Sequence, residues 1–131
     1  MDGVNSMTKP KVWMDENGIM KIQYPSCAYF SLQTVKSEYD QRLAITRNKH
    51  PVLFYVDGIV DFTEETQKFM TGEIYGSITL AAAFIQRPTM NYSLLAQYYI
   101  ENLKLSNSRY PVEFFNQEKE ALRWLRQYTQ D

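Results

Sequence analysis

The feature that most constrains this chain is an unbroken apolar run, Pro51-Val52-Leu53-Phe54-Tyr55-Val56, which is closed by Asp57-Gly58. β-Branched and aromatic residues between a proline and a turn dipeptide predict a strand that is buried on both faces of an α/β sheet. We expect a short loop to follow and a helix to begin at Thr63. Asp57, Asp61 and Thr63 would then lie near the carboxyl end of a central strand, where open α/β sheets place ligands and partners.

The segments around that run predict the rest of the fold. Two alternating segments flank Asn17-Gly18, which is typical of a hairpin turn. Helical spacing predicts helices over residues 31–46, 63–71, 90–103 and 116–128, and strands are expected at 77–85 and 110–115. The expected order is ββαβαβαβα, an α/β fold whose mixed five-stranded sheet is mostly parallel. We expect a single domain over residues 11–131 after a flexible tail of residues 1–10.

Two helices carry more specific expectations. In the first, an apolar stripe is predicted to pack on the sheet, and Glu38 and Arg42 are expected to lie largely off it. The stripe comprises Leu32, Val35, Tyr39 and Leu43. In the last helix, Asn116 is expected to act as the N-cap.

Composition narrows the classes of molecule that this protein is expected to bind. Fourteen basic and fifteen acidic side chains leave a net charge of −1, which gives no electrostatic footprint for nucleic acid or an anionic membrane. Cys27 is the single cysteine, and no Cys/His cluster has zinc-ligand spacing. Without a signal-peptide pattern or a long apolar run, a cytoplasmic location is expected.

Four segments resemble a known family: Val56 to Thr63, the alanine-rich Leu80 to Phe84, Tyr110 to Phe115, and Glu120 to Leu125. Together with the order of elements, they are similar to the STAS domain, the fold of bacterial anti-sigma factor antagonists and sulphate-transporter tails. The closer likeness is to small bacterial STAS-like and CRAL-TRIO-like proteins, which are mostly uncharacterised. This resemblance spans residues 12–128 and implies a STAS-like fold and a regulatory role.

Thr63 is where the chain departs from that family. Regulated anti-sigma antagonists are phosphorylated on a serine of an Asp-Ser-Ser-Gly-like turn at the start of the second helix. Here the segment is Phe62-Thr63-Glu64-Glu65, and the two glutamates would repel a phosphate on Thr63. An N-cap role is sufficient to explain Thr63.

The candidates for partner binding or switching are Asp57, Asp61, Thr63 and Arg87. Arg87 follows the alanine-rich strand as Asp57 follows the central one, so neighbouring strands would bring the two side chains together as an ion pair or a polar site. The structural alternative is that each aspartate accepts backbone amides of its own loop.

The candidates for a ligand or dimer face are Tyr92, Tyr98 and Tyr99, which lie in one predicted helix of a chain with ten tyrosines. If the sheet leaves them uncovered, they suit a dimer contact or an apolar ligand. The alternative is core packing with the hydroxyl groups at the rim.

No catalytic residue is assigned. The chain has no nucleophile elbow, zinc-protease motif, phosphate-cradling glycine loop or dinucleotide fingerprint. His50 is expected to be an exposed loop histidine, and Cys27 a buried inert thiol. The helix dipole explains the pairs Glu64/Glu65 and Glu118/Glu120.

The sequence therefore predicts a non-enzymatic regulatory or protein-interaction module that needs no cofactor or metal. Its protein partner is unknown, and a homodimer is favoured. The alternative is a small-molecule or lipid-binding module, which the aromatic content and the CRAL-TRIO-like aspect suggest.

Overall fold

A computed structural model describes residues 9–25, 28–86, 93–106 and 109–129. The strands are β1 (Lys11–Met14), β2 (Met20–Gln23), β3 (Ala28–Phe30), β4 (His50–Tyr55), β5 (Ile59–Phe62), β6 (Thr79–Ile85) and β7 (Val112–Phe115). The helices are α1 (Leu32–Ile45), α2 (Glu64–Met70), α3 (Glu73–Gly76), α4 (Ser93–Ser106) and α5 (Glu118–Leu125), and a 3-10 turn follows at Arg126–Tyr128. None of the helices in these ranges is long and apolar enough to cross a membrane.

The main sheet has five strands in the order β1-β2-β4-β6-β7. β1 and β2 form an antiparallel hairpin, and the other three pairings are parallel. The hairpin turns at Gly18, whose φ of 84° suits a residue without a Cβ. An α/β fold with a mostly parallel five-stranded sheet is confirmed.

The central position of β4 follows from its apolar run. It pairs with β2 on one side and β6 on the other, and Val52, Leu53 and Phe54 are fully buried. Phe54 stacks on Phe84 of β6 with ring centroids 4.4 Å apart. The predicted strand buried on both faces is confirmed.

The segment after β4 differs from the prediction. Residues 59–62 were expected to be a short loop, but they form β5, which pairs in parallel with β3 in a separate two-stranded sheet. Gly58, with a φ of 96°, turns the chain between β4 and β5. The ring of Phe62 stacks on that of Phe30 with the ring centroids 4.9 Å apart. Tertiary packing therefore forms a strand from a segment that is too short to be predicted as one from its sequence.

The two faces of the main sheet are covered unequally. Parallel strands added in one direction by right-handed crossovers place their connecting helices on the same face. Accordingly, Val35 of α1, Met70 of α2 and Ile100 of α4 belong to one core cluster with Phe54 and Phe84. The opposite cluster is built under α5, where Ala121 and Leu125 pack against Leu53, Ala81 and Ala83.

A buried polar cluster joins α1 to the rest of the fold. Its members are Tyr24, Glu38, Arg42, His50, Tyr75 and Thr79. The side chains of Glu38 and Arg42, expected to lie largely off the packed stripe, are fully buried. That prediction is wrong, because the two residues are one helical turn apart and enter the core as a pair.

Glu38 receives donors on both carboxylate oxygens. The hydroxyl of Tyr24 donates to Oε1 at 3.2 Å, and that of Tyr75 lies 2.9 Å from both oxygens. Arg42 Nη1 donates to Oε2 at 3.1 Å. Burial raises the pKa of Glu38, whereas Arg42 and the hydroxyl donors oppose that rise. Since an ionised carboxylate only accepts, this set of donors fits the charged form.

Arg42 distributes its charge over three elements. Nε donates to His50 Nε2 at 3.0 Å, and Nη2 donates to Thr79 Oγ1 at 2.8 Å and to the carbonyl of Ile78 at 3.2 Å. The guanidinium also lies 4.9 Å from the ring centroid of Tyr75. Arg42 therefore connects α1 to the starts of β4 and β6 and to α3.

His50 is held as a neutral ring in one tautomer. Because Nε2 accepts from Arg42, the proton is on Nδ1, which donates to the carbonyl of Asn48 at 2.8 Å. Burial, and then the charge of Arg42, lower the pKa of His50 to about 4. The expectation of an exposed loop histidine is wrong, because the Arg42 side chain draws this ring into the core.

We predict that Arg42→Met destabilises the fold by about 3–5 kcal/mol, because it leaves the Glu38 carboxylate buried without its counter-charge. The double change Glu38→Gln with Arg42→Met should recover part of that loss. Urea unfolding measures both values. Lys104→Met is the matched control, since it breaks a half-exposed pair with Glu113 and should change stability much less. Equal losses from Arg42→Met and Lys104→Met would contradict the prediction.

We also predict that His50 makes the protein less stable in acid. Its folded pKa lies below that of the unfolded chain, so the unfolded state binds more protons as the pH falls from about 7 to 4. The loss attributable to His50 is roughly 3 kcal/mol at pH 4. His50→Gln keeps an acceptor for Arg42 and does not titrate, so the stability difference between wild type and variant should shrink over this range. A difference that is independent of pH would refute the assignment.

Candidate functional site

A cleft opens at the carboxyl ends of β4 and β6 on the face that α5 covers. Its volume is about 440 Å³. We call it the carboxyl-edge cleft, and its lining residues are Trp13, Gln23, Tyr55, Asp57, Ile85, Asn116 and Glu118. This is the edge of an open α/β sheet where ligands and partners bind.

The aromatic wall of the cleft comes from β1 and β4. Trp13 and Tyr55 lie with their rings nearly parallel, at 4°, and their centroids are 6.2 Å apart. Trp13 remains 39% exposed, because its side of the hairpin lies beyond the reach of α5. An exposed tryptophan beside polar groups is typical of a contact site.

The acidic wall comes from the start of α5. The Tyr55 hydroxyl donates to Glu118 Oε2 at 2.7 Å, and Lys21 Nζ lies 3.7 Å from both Glu118 Oε2 and Asp15 Oδ2. Burial, and then the bond and charge of Glu118, raise the pKa of Tyr55, so its hydroxyl stays protonated at neutral pH. Tyr55 thereby holds the Glu118 carboxylate in a fixed position at the mouth of the cleft.

The beginning of α5 differs from the prediction. Its N-cap is Gln117, which makes no side-chain cap hydrogen bond, and not Asn116. Asn116 lines the cleft instead. The pairing of Phe115 with Ile85 carries β7 to this point, and the chain turns one residue later than the sequence pattern indicates.

The structure separates the residues predicted to act together. Asp57 lines the cleft, whereas Asp61 is exposed on β5 opposite Tyr29. Thr63 is the N-cap of α2, where its hydroxyl accepts from the amide of Thr66 at 3.2 Å and pairs with the Thr66 hydroxyl at 2.5 Å. The N-cap interpretation of Thr63 is confirmed, and Asp57 alone of these three lies in the cleft.

Two predicted residues, Arg87 and Tyr92, lie outside the described residues, as does Cys27. The strands before Asp57 and Arg87 are neighbours, since Tyr55 and Ile85 are register partners in β4 and β6. The pairing of Asp57 with Arg87 stays a prediction.

The two described tyrosines of α4 have different environments. Tyr99 is half-buried and its ring centroid lies 5.7 Å from that of Phe62, so it packs on the core. Tyr98 is 60% exposed and meets Tyr99 edge-on at 5.6 Å. Leu94 and Leu105 are also exposed on this helix. The dimer contact or apolar ligand expected here stays a prediction.

Trp13 and Glu118 are the cleft residues whose role the sequence reasoning missed. A signal for Trp13 was present: β1 alternates, so Trp13 shares a face with Lys11 and not with Val12 and Met14, which pack against the core. A tryptophan on the polar face of a hairpin strand is unusual enough to mark a surface site. Glu118 gave no such signal, because the helix dipole accounts for an acidic residue in a first turn.

A larger depression of about 820 Å³ runs along the outer side of α1. Its lining combines solvated charged side chains, among them Lys36, Asp40 and Glu65, with uncharged ones. It lies away from the strand ends and gathers no convergent set of groups. Within the described ranges, no three His, Cys, Asp or Glu side chains are placed to hold a metal ion.

Comparison with known proteins gives one family. Residues 12–129 match the model of a family described as Domain of unknown function (DUF7793). No curated protein and no solved structure matches the chain. Because the match spans nearly the whole chain, this protein belongs to the DUF7793 family.

Proposed function

We propose that this protein is a non-enzymatic interaction module, with a STAS-like role in regulation, and that it binds its partner through the carboxyl-edge cleft. The observation that carries the proposal is the exposed Trp13 ring, which stands beside two carboxylates, Asp57 and Glu118, at the functional edge of the sheet. Interfaces are enriched in exposed aromatic residues surrounded by a polar rim.

The chemistry of the cleft supports binding without catalysis. Among the described residues, its lining has no serine, threonine, cysteine or histidine. Tyr55 is a poor general base because its pKa is raised and its hydroxyl donates to Glu118. The groups that line the cleft are suited to binding a partner of complementary shape and charge.

A second candidate function is the binding of a small molecule in the same cleft. Ligand pockets are about 300–1,000 Å³ in volume and combine aromatic walls with a few fixed polar groups. The cleft, at about 440 Å³, lies within that range. Its carboxylates and amides favour a polar ligand over a lipid chain.

We predict that Trp13→Ala and Asp57→Ala each abolish capture of a specific partner from an extract of the native cell, because they remove the aromatic wall and one carboxylate of the cleft. Quantitative mass spectrometry after affinity capture measures the loss. Leu94→Ala is the control, since it removes a highly exposed apolar side chain from α4 and should leave capture unchanged.

Urea unfolding of each variant verifies that the fold is retained. A capture profile that survives both cleft changes and is altered by Leu94→Ala would move the contact surface to α4 and refute the proposal.

A further inference from the structure

A depression of about 430 Å³ lies at the amino ends of β2 and β4, at the edge of the sheet opposite the carboxyl-edge cleft. The loop of residues 46–49, which joins α1 to β4, lines it together with His50. We propose that His50 is an acid-sensitive latch on this loop. When the ring takes up a second proton, it leaves Arg42 and turns out into the depression, and the loop opens while the sheet stays folded.

The neutral ring holds the loop closed through both of its nitrogens. Nδ1 donates to the carbonyl of Asn48 at 2.8 Å, and Nε2 accepts from Arg42 Nε at 3.0 Å. The amide of Asn48 in turn donates to Thr46 Oγ1 at 3.2 Å. The ring therefore joins a locally hydrogen-bonded loop to the buried guanidinium of α1.

A proton on Nε2 is incompatible with this arrangement. An imidazolium donates from both nitrogens, and the Nε–H of an arginine donates at every pH that a protein meets. Nε2 of His50 and Nε of Arg42 would then be two donors 3.0 Å apart without an acceptor between them. Burial, and then the charge of Arg42, oppose the same proton and lower the pKa of His50 to about 4.

The surrounding charges favour an outward movement of the protonated ring. Among the described residues, the charged side chains nearest to it are Arg42 on α1 and Lys49 on the loop. Glu38 binds a different nitrogen of the guanidinium, Nη1, and also accepts from the hydroxyl of Tyr75 on α3. Lys49 is exposed and its charge is screened by solvent, whereas Arg42 is buried. The other elements contribute uncharged groups, which are Thr79 on β6 and Met14 and Gly18 of the hairpin.

The contacts outside the latch keep α1 and the sheet in place. Arg42 retains Glu38 through Nη1, and it retains Thr79 and the carbonyl of Ile78 through Nη2. The pairing of β4 with β6 is irregular between His50 and Pro51 and regular from Pro51 onward. His50 thus lies before the regular part of its strand, so its side chain can move without breaking the ladder that follows.

The test is NMR of the full chain as the pH falls from about 7 to 4. His50 is the single histidine, so its ring signals report the titration directly. As the ring titrates, we expect it to become accessible to a soluble paramagnetic agent and the Arg42 Nε–H to lose its protection from exchange. The amides of residues 47–49 should exchange about tenfold faster or more, as in local opening. The signals of Val52 and Phe54 should stay native.

His50→Gln is the matched variant. Its side-chain oxygen accepts from Arg42 and does not titrate, so the loop should stay closed over the whole pH range. Exchange of the loop amides in this variant therefore gives the intrinsic pH dependence against which the wild type is compared. The native signals of Val52 and Phe54 verify that the variant is folded.

Three results would overturn the proposal. In the first, the ring titrates but stays inaccessible to the paramagnetic agent and the Arg42 Nε–H stays protected, so the proton is accepted in place. In the second, the loop opens in acid equally in His50→Gln, so another group controls it. In the third, Val52 and Phe54 lose their native signals together with the change at the ring, so acid unfolds the whole chain without a second folded state.

Discussion

The buried pair of Glu38 and Arg42 is the interaction on which the position of α1 depends. Two charges removed from water cost several kcal/mol each, and this cost is offset only because every strong donor has an acceptor. Arg42 connects α1 to the starts of β4 and β6, and Glu38 accepts hydrogen bonds from the hydroxyl groups of Tyr24 and Tyr75. Apolar residues in place of Glu38 and Arg42 could give a fold of equal stability, but they would not fix the direction of each contact as hydrogen bonds do. We therefore interpret the polar cluster as the feature that specifies one arrangement of α1 on the sheet.

Unequal coverage of the sheet determines which part of its surface stays open. The helices of the three crossovers lie on one face because parallel strands are added in one direction, and in the described part of the chain α5 and the 3-10 turn after it cover the other. A helix of eight residues is about 12 Å long, which is shorter than the width of five strands. The part of the face near the hairpin therefore stays open, and Trp13 and Tyr55 form a wall there.

Local patterns predicted the fold well where one residue type dictates one geometry. The Asn17-Gly18 hairpin and the N-cap at Thr63 followed from their own residues. Expectations were wrong where contacts between residues far apart in the sequence determined the structure. His50 is buried because Arg42 reaches it, β5 is a strand because Phe62 meets Phe30, and Asn116 is not the cap of α5. In the candidate site, Asp57 was predicted from the end of its strand, whereas Trp13 and Glu118 were not.

The sequence by itself determined the central strand, the parallel sheet with its opening hairpin and the edge at which a site would lie, because these depend on hydrophobic period and turn residues within short windows. Only the tertiary structure decided which side chains meet at that edge. Trp13, Asp57 and Glu118 come from three segments far apart in the chain, and their proximity depends on strand order and on the short reach of α5. The stretch from Pro51 to Asp57 thus places the candidate site, and the hairpin and last helix contribute its other side chains.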